Sequence, residues 1–387
     1  MWALGGAFLV WPYLSLAGMF RLIRKRRTST AKDISIAMGS IAFLSLVSLT
    51  IAALNEPFTS RFLASMINMT VWMALAFYAT TTAWPISRET WMLVWVRIAA
   101  VQGLVVVTAV TLSGGRAVIN LPLSYLLPSH LSDDPALSGF THLNLAFSDY
   151  FGAPVTRTSG FFANPTWCAA AGAIGVIFAT NLALDRTIAW KSAFAYGICT
   201  LPAMYYAYSR ATYAALIAAL LFGCLVIVKR RFGNRGLISV VTLGMFVAIA
   251  LASVFNVPQI ISSINTERSG SLAARTSIYD LTISAILNSP FPVLGHGVKE
   301  RRPGLAASLG THDTYLGLAY RVGILAAAIF IVWLLVVFVR RFRALDVVGV
   351  AILGFLTVWM LTEDVDAGSL IAIAFTLVFD HRSLEST

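Results

Sequence analysis

The sequence predicts an all-α polytopic membrane protein with about 11–12 transmembrane helices. Of its 387 residues, 58% are hydrophobic and only 12% are charged, which is about half the charged fraction of a typical soluble protein. The apolar residues also occur in runs of roughly 20, the length that a helix needs to cross a bilayer. Residues 1–387 are therefore expected to form a single transmembrane domain.

We interpret eleven apolar segments as spans, of which the last two are short for a bilayer. They cover residues 1–20, 34–54, 62–84, 91–112, 165–184, 192–208, 211–228, 237–256, 315–339, 346–361 and 368–380. Cations follow the first segment at residues 21–32, whereas a secretory signal carries its cations before its apolar run. We therefore expect this segment to be a retained span. Cys168, Cys199 and Cys224 fall inside predicted spans and are interpreted as small apolar residues.

Lysine and arginine are concentrated in alternate loops, and this pattern indicates the orientation. The cation clusters at residues 21–32, 229–235 and 340–343 are expected in the cytoplasm. The long segments 113–164 and 257–314 are then extracytoplasmic, where long loops on one face usually carry function. Because this arrangement accounts for the net charge of +11, we expect no nucleic-acid partner.

The loop 257–314 has internal order that predicts a helix. Apolar residues recur at a nearly helical period over residues 271–287, Ser271 can cap the start, and Asn288-Ser289-Pro290 stops the pattern. We expect this helix to lie on the membrane surface with its apolar face down. The glycines between residues 295 and 304 are expected to form a flexible turn region over the site.

Two arginines in the extracytoplasmic segments are candidates for binding a phosphate-bearing lipid. Arg210 lies in a very tight hairpin between two spans, and Arg275 lies in the predicted surface helix. A guanidinium suits phosphate because it stays charged and donates two parallel hydrogen bonds. Two such groups on one face would bind both phosphates of a diphosphate without a metal. The alternatives are an interfacial anchor for Arg210 and a solvated helix charge for Arg275.

His312 is the candidate general base. With Thr311 as the expected N-cap, His312 would stand in the first turn of the span 315–339. The positive end of the helix dipole would favour the neutral imidazole that a base needs. Asp313 would oppose this effect and would also be able to orient the ring. The alternative is an interfacial polar residue.

Two further arginines and one acidic segment are secondary candidates. Arg157 precedes the loop-to-helix junction at Asn164-Pro165 and would add a third phosphate or sugar contact. Arg321, inside a predicted span, would serve the floor of the cavity. Residues 363–366 are interpreted as a solvated turn in preference to a divalent-cation site. The histidines have no metal-ligand spacing, and no metal or other cofactor is expected.

Several of these segments resemble the O-antigen ligase and polymerase superfamily of bacterial membrane glycosyltransferases. The resemblance rests on Arg157–Pro165, Ser209-Arg210, Arg275 with the later Pro290-x(4)-Gly295-x-Gly297, and His312-x-x-Tyr315-Leu316 ahead of Gly323. It implies that Arg210 and Arg275 bind the diphosphate of a polyprenyl-linked glycan and that His312 activates the acceptor hydroxyl. Two departures are Asp313, where the family usually has asparagine, and eleven spans, where it usually has twelve.

The resemblance implies inverting glycosyl transfer on the extracytoplasmic face of the bacterial cytoplasmic membrane. The donor would be a polyprenyl-diphosphate-linked glycan and the acceptor a glycan or glycolipid, as in an O-antigen ligase or a surface polysaccharide polymerase. The competing hypothesis is a transporter or flippase of the lipid-linked glycan. Transporters place charges near the midplane, whereas the candidate charges here are predicted at the outer boundary.

Overall fold

The fold is almost entirely helical, which confirms the predicted class of an all-α polytopic membrane protein. The computed structural model describes residues 9–24, 32–55, 59–80, 87–113, 118–128, 141–144, 157–162, 164–254, 269–305, 307–365, 371 and 374–375. The helices are α1 (Val10–Arg24), α2 (Lys32–Asn55), α3 (Ser60–Thr80), α4 (Arg88–Ser113), α5 (Pro122–Leu126), α6 (Pro165–Leu184), α7 (Trp190–Ala207), α8 (Arg210–Val254), α9 (Ser269–Leu287), α10 (Thr314–Arg321), α11 (Ile324–Arg343) and α12 (Val347–Trp359). In this part of the chain, six helices are long and apolar enough to cross a membrane, namely α2, α3, α4, α6, α8 and α11.

Helix α6 is the central helix of the bundle. Asn164 caps it by accepting a hydrogen bond from the Thr166 backbone N–H, and Pro165 occupies the first helical position, where its missing N–H costs nothing. Glycine lets the neighbouring helices approach closely: a Cβ on Gly175 would lie 2.6 Å from Ala99 Cβ of α4. Small residues at such contacts are typical of helix packing in membranes.

The C-terminal helices complete the core and bring together charges that the sequence predicted to lie on one side of the membrane. Helix α12 is buried along most of its length and packs against α8 and α11. At its start, Asp346 pairs with Arg88 of α4 at 2.9 Å and with Arg341 of α11 at 3.1 Å. Lys229 lies over the ring of Phe342 at the same junction. Segments that were predicted on one side of the membrane therefore meet at one end of the bundle.

The span predicted at 315–339 is wrong as a single helix. Helix α10 ends at Arg321 and α11 begins at Ile324, with Gly323 between them at a φ of 109°. The preceding loop is hydrogen-bonded to the backbone at this break. The N–H groups of His296 and Gly297 donate to the carbonyls of Tyr320 and Arg321, respectively, both at 2.8 Å. Gly297 also packs against α2, where a Cβ would lie 2.5 Å from the Ser48 carbonyl. The predicted glycine turn is thus present and is packed against the bundle at Gly297; its flexibility stays a prediction.

The other predicted spans correspond to helices with small changes in their bounds. The pair 211–228 and 237–256 corresponds to α8, which Gly233 interrupts with a φ of 66° and a ψ of −164°. The span 192–208 corresponds to α7. The span 368–380 lies almost entirely outside the described residues, as do residues 1–8 of the first.

The two long loops contain the remaining elements. In the first, β1 (Val118–Asn120) pairs antiparallel with β2 (His142–Asn144), a short sheet that the sequence did not predict. In the second, α9 confirms the predicted helix and begins two residues before Ser271. One side of α9 packs on the protein through the buried residues Ile278, Thr282 and Ile286. Its placement on the membrane surface stays a prediction.

Candidate functional site

A buried acidic turn lies next to Arg275. This acidic turn comprises residues 362–365 and follows α12. Glu363 and Asp364 are only 3% and 6% exposed. Arg275 donates to the carbonyl of Thr362 at 3.2 Å and pairs with Glu363 Oε1 at 3.3 Å. Lys299 Nζ lies 2.6 Å from Asp364 Oδ2. The interpretation of residues 363–366 as a solvated turn was therefore wrong for both described carboxylates; Asp366 lies outside the described residues.

Two helix N-termini hold the acidic turn in place. Thr314, the first residue of α10, donates its hydroxyl to the Glu363 carbonyl at 2.7 Å and accepts the Val365 N–H at 3.0 Å. Thr166, in the first turn of α6, lies next to the Glu363 side chain, and its hydroxyl donates to Asn164 Oδ1 at 2.9 Å. Burial raises the pKa of Glu363 to about 7, although Arg275 and Thr166 act to lower it. The turn therefore holds a carboxyl that titrates near neutral pH.

The backbone around His312 is fixed at three consecutive residues. The Thr311 hydroxyl donates to Ser308 O at 2.6 Å, the Tyr279 hydroxyl donates to His312 O at 2.7 Å, and Asp313 Oδ1 accepts the Leu316 N–H at 2.8 Å. His312 itself adopts a left-handed φ of 64°, which is uncommon outside glycine. Such conformations cluster at functional sites, where the surrounding structure holds them.

The predicted helix cap was wrong. Asp313, not Thr311, is the N-cap of α10, so His312 precedes the helix and does not stand in its first turn. The Asp313 carboxylate is engaged by backbone N–H groups of the helix. Burial raises the pKa of Asp313, while those backbone hydrogen bonds lower it.

Tyr279 connects the helix that carries Arg275 to the backbone of His312. Tyr279 lies one turn after Arg275 on α9, so both side chains are on the same face of that helix. Its hydroxyl reaches the backbone of His312, while Arg275 reaches the acidic turn that Thr314 binds. Burial raises the pKa of Tyr279 to about 12, against the opposing effect of Arg275. The phenol therefore remains a hydrogen-bond donor at physiological pH.

Arg210 lies at the first residue of α8 and is exposed. Ser209 caps this helix, since its hydroxyl oxygen accepts the Thr212 N–H at 3.3 Å. Arg157 donates from Nε to the carbonyl of Ala207 at 3.0 Å, so its segment runs along the hairpin that presents Arg210. The same segment continues to Thr166 and hence to Glu363. Residues 157–162 and 164–166 thus lie between the hairpin that precedes Arg210 and the acidic turn.

Arg321 occupies a different environment. It is buried and donates from Nε to Gly317 O at 3.3 Å. With Ser45, Ser65 and Asn68 it lines a cavity of about 20 Å³ against α2 and α3, which is room for about one water molecule. Its role as a cavity floor stays a prediction.

Sequence reasoning missed three residues that build the site, namely Tyr279, Lys299 and Thr166. It also missed the burial of Glu363 and its pairing with Arg275. Tyr279 had a usable signal, because it follows Arg275 by one helical turn. Glu363 and Asp364 are adjacent acids beside an apolar run, in a chain with only 17 acidic residues. Nothing local to Lys299 or Thr166 indicates their partners.

The fold and the site define a multi-pass helical membrane protein with a cationic and acidic cluster at one end of its bundle. Residues 195–331 match the family model described as O-antigen ligase. The matched segment contains Arg210, Arg275 and His312, and it confirms the resemblance to the O-antigen ligase and polymerase superfamily. The family implies glycosyl transfer of the ligase or polymerase type in general. No significant match is found among curated proteins or among solved structures.

Proposed function

We propose that this protein transfers a glycan from a polyprenyl-diphosphate lipid to a hydroxyl of a glycan or glycolipid acceptor. The reaction takes place on the extracytoplasmic face of the bacterial cytoplasmic membrane. The observation that carries the proposal is that Arg275 pairs with the acidic turn while Tyr279, one helical turn later, donates to the His312 carbonyl. Both Arg275 and His312 lie inside the family-matched segment. The long loop that contains both residues supports the same assignment, since it faces the side predicted to be extracytoplasmic.

The arginines stabilise the leaving group. Arg210 is exposed, and the Arg275 side chain remains 28% exposed although it binds the acidic turn. Each guanidinium carries five N–H donors, so Arg275 retains donors for a ligand beyond the two contacts described above. Two fixed cations at the diphosphate stabilise the charge that develops as the sugar–phosphate bond breaks. On this proposal the transfer does not require a metal ion.

His312 acts as the base. Its ring accepts the proton of the acceptor hydroxyl while that oxygen forms a bond to the anomeric carbon. The bond from the anomeric carbon to the phosphate oxygen breaks, and its electron pair leaves with the polyprenyl diphosphate. A single displacement of this kind inverts the anomeric centre.

Single alanine substitutions test the assignment. Arg210→Ala, Arg275→Ala and His312→Ala should each abolish long-chain surface glycan in cells, with the lipid-linked donor accumulating. Arg301→Ala is the matched control, because Arg301 is an exposed cation of the same long loop. Membrane insertion of each variant is confirmed by its amount in the membrane fraction.

The outcomes separate the two function classes. Normal glycan in all three variants would remove the enzyme hypothesis. Loss of glycan together with loss of donor translocation would instead favour a transporter or flippase. Loss of glycan with normal translocation supports the transferase.

A further inference from the structure

The Arg275–Glu363 pair is the feature that the proposed reaction does not use. A cation that must bind a diphosphate is already paired with a carboxylate at 3.3 Å. The carboxylate is the more deeply buried partner, with 3% of its side chain exposed against 28% for Arg275. A ligand therefore approaches the pair from the arginine side, and Glu363 stays behind it.

We propose, on the basis of the function above, that Glu363 is an internal counter-anion which the donor diphosphate replaces, and that Glu363 takes up a proton as the donor binds. Without donor, the ionised carboxylate neutralises Arg275 and keeps its guanidinium in position. When the diphosphate arrives, its two negative charges would face the buried carboxylate across one cation. Negative charges that share one cation in a buried site repel each other, and this repulsion favours protonation of the Glu363 carboxyl.

The surroundings of Glu363 support proton uptake. Its pKa is about 7 before the donor binds, and the added negative charge of the diphosphate raises this pKa further. Thr314 keeps its hydrogen bond to the Glu363 carbonyl in either state. Once Glu363 is protonated, its hydroxyl can donate to the Thr166 oxygen, whose own proton goes to Asn164 Oδ1. The acidic turn therefore retains its fold when Glu363 becomes neutral.

Other charged groups face the same region and enter the design of the test. They are Arg275 and Tyr279 from α9, Asp313 at the cap of α10, Asp364 from the acidic turn itself, and Lys299 paired with Asp364. His312 precedes Asp313 in the chain, and its carbonyl accepts from Tyr279. Asp364 has a cationic partner of its own, and Asp313 is held by the helix cap. His312 is the group whose ordinary pKa of about 6.5 also lies near neutrality, so it requires a control.

The test is donor binding as a function of pH, with protein in lipid nanodiscs and a glycosylated polyprenyl diphosphate as the probe. Both phosphates of this probe are esterified, so its charge does not change near neutral pH. In the wild type, affinity for the donor should fall as the pH rises above about 7, so that the affinity at pH 8 is about five- to tenfold lower than at pH 7 or below. Glu363→Gln, which resembles the protonated acid, should remove this decline and bind about five- to tenfold more tightly than the wild type at pH 8.

Calorimetry in two buffers with different ionisation enthalpies measures the proton directly. The wild type should take up close to one proton at pH 8, Glu363→Gln should take up none, and His312→Ala should take up as many as the wild type. Glu300→Gln is the matched control, because Glu300 is an exposed carboxylate of the same loop, 52% exposed, and should leave the profile unchanged.

Three results would overturn the inference. These are wild-type binding without proton uptake, Glu363→Gln binding that is weaker at every pH, and uptake that disappears in His312→Ala. The first and third need no Glu363 variant, so they decide the question even if that variant fails to fold. A wild type that does not bind the lipid diphosphate would instead contradict the proposed function itself.

Discussion

Replacing Tyr279 with phenylalanine removes one hydroxyl and tests how His312 is positioned. The hydroxyl donates to the His312 carbonyl at 2.7 Å, and this contact fixes a residue in a left-handed conformation. A partly buried carbonyl that loses its donor costs about 1–3 kcal/mol. If this cost falls entirely on the transition state, kcat decreases by about 5- to 150-fold, since each 1.36 kcal/mol is a factor of ten.

The assay is steady-state transfer with purified protein, lipid-linked donor and acceptor. Because Tyr279 does not bind the diphosphate, the loss should fall on kcat and leave the KM for the donor unchanged. With a Tyr279 pKa of about 12, the ratio of wild-type to variant kcat should be constant over about pH 6 to 9. Tyr125→Phe is the control, since that phenol is 75% exposed in α5.

Two results would refute this reasoning. A kcat within about twofold of the wild type would mean that the contact does not position the base. An increase confined to the KM for the donor would place Tyr279 in donor binding instead.

Three further predictions concern stability and packing. Lys299→Met leaves the buried Asp364 carboxylate without its 2.6 Å partner and should lower the free energy of unfolding by about 3 kcal/mol. The control Arg302→Ala breaks an exposed pair with Glu300 and should lower it by under about 1 kcal/mol. Thermal unfolding in detergent measures both variants. Asp346→Asn should destabilise the protein at neutral pH. Burial acts to raise the pKa of Asp346, but Arg88 and Arg341 outweigh burial and the net pKa is lowered. Its stabilisation is therefore present above the ordinary aspartate pKa and is lost as the pH falls through the folded pKa. Unfolding as a function of pH should therefore show the wild type approaching the variant in acid. Gly317→Ala places a Cβ 2.6 Å from the Gly310 carbonyl oxygen, so it should lower the free energy of unfolding by about 1–3 kcal/mol and reduce glycan transfer. In the control Gly39→Ala, the new Cβ has no neighbouring atom within 4 Å, so stability should not fall.

Hydropathy predicted the helices because a bilayer requires long apolar runs. The predicted span 165–184 has the same bounds as α6, where Asn164 and Pro165 mark the start in the sequence itself. The break at Gly323 was not predictable in this way. The chain is apolar on both sides of it, and what stabilises it is backbone pairing with residues 292–297, which no average over a window includes.

The candidate residues of the site were predictable from the sequence, but their surroundings were not. Residue type and position were sufficient to select Arg210, Arg275 and His312 as candidates. Their environment depends on contacts that are remote in sequence, such as the pairing of Arg275 with Glu363, 88 residues later. An acidic loop is ordinarily solvated, whereas Glu363 is buried in a turn that contacts α9 through Arg275 and α10 through Thr314.

A cryo-electron microscopy structure with a bound glycosylated polyprenyl diphosphate tests the central claim most directly. We predict that the guanidinium groups of Arg210 and Arg275 both lie within hydrogen-bonding distance of the diphosphate, with the His312 ring facing the anomeric carbon. A diphosphate bound elsewhere, or contacted by Arg210 alone while Arg275 and His312 lie far from the sugar, would contradict the account.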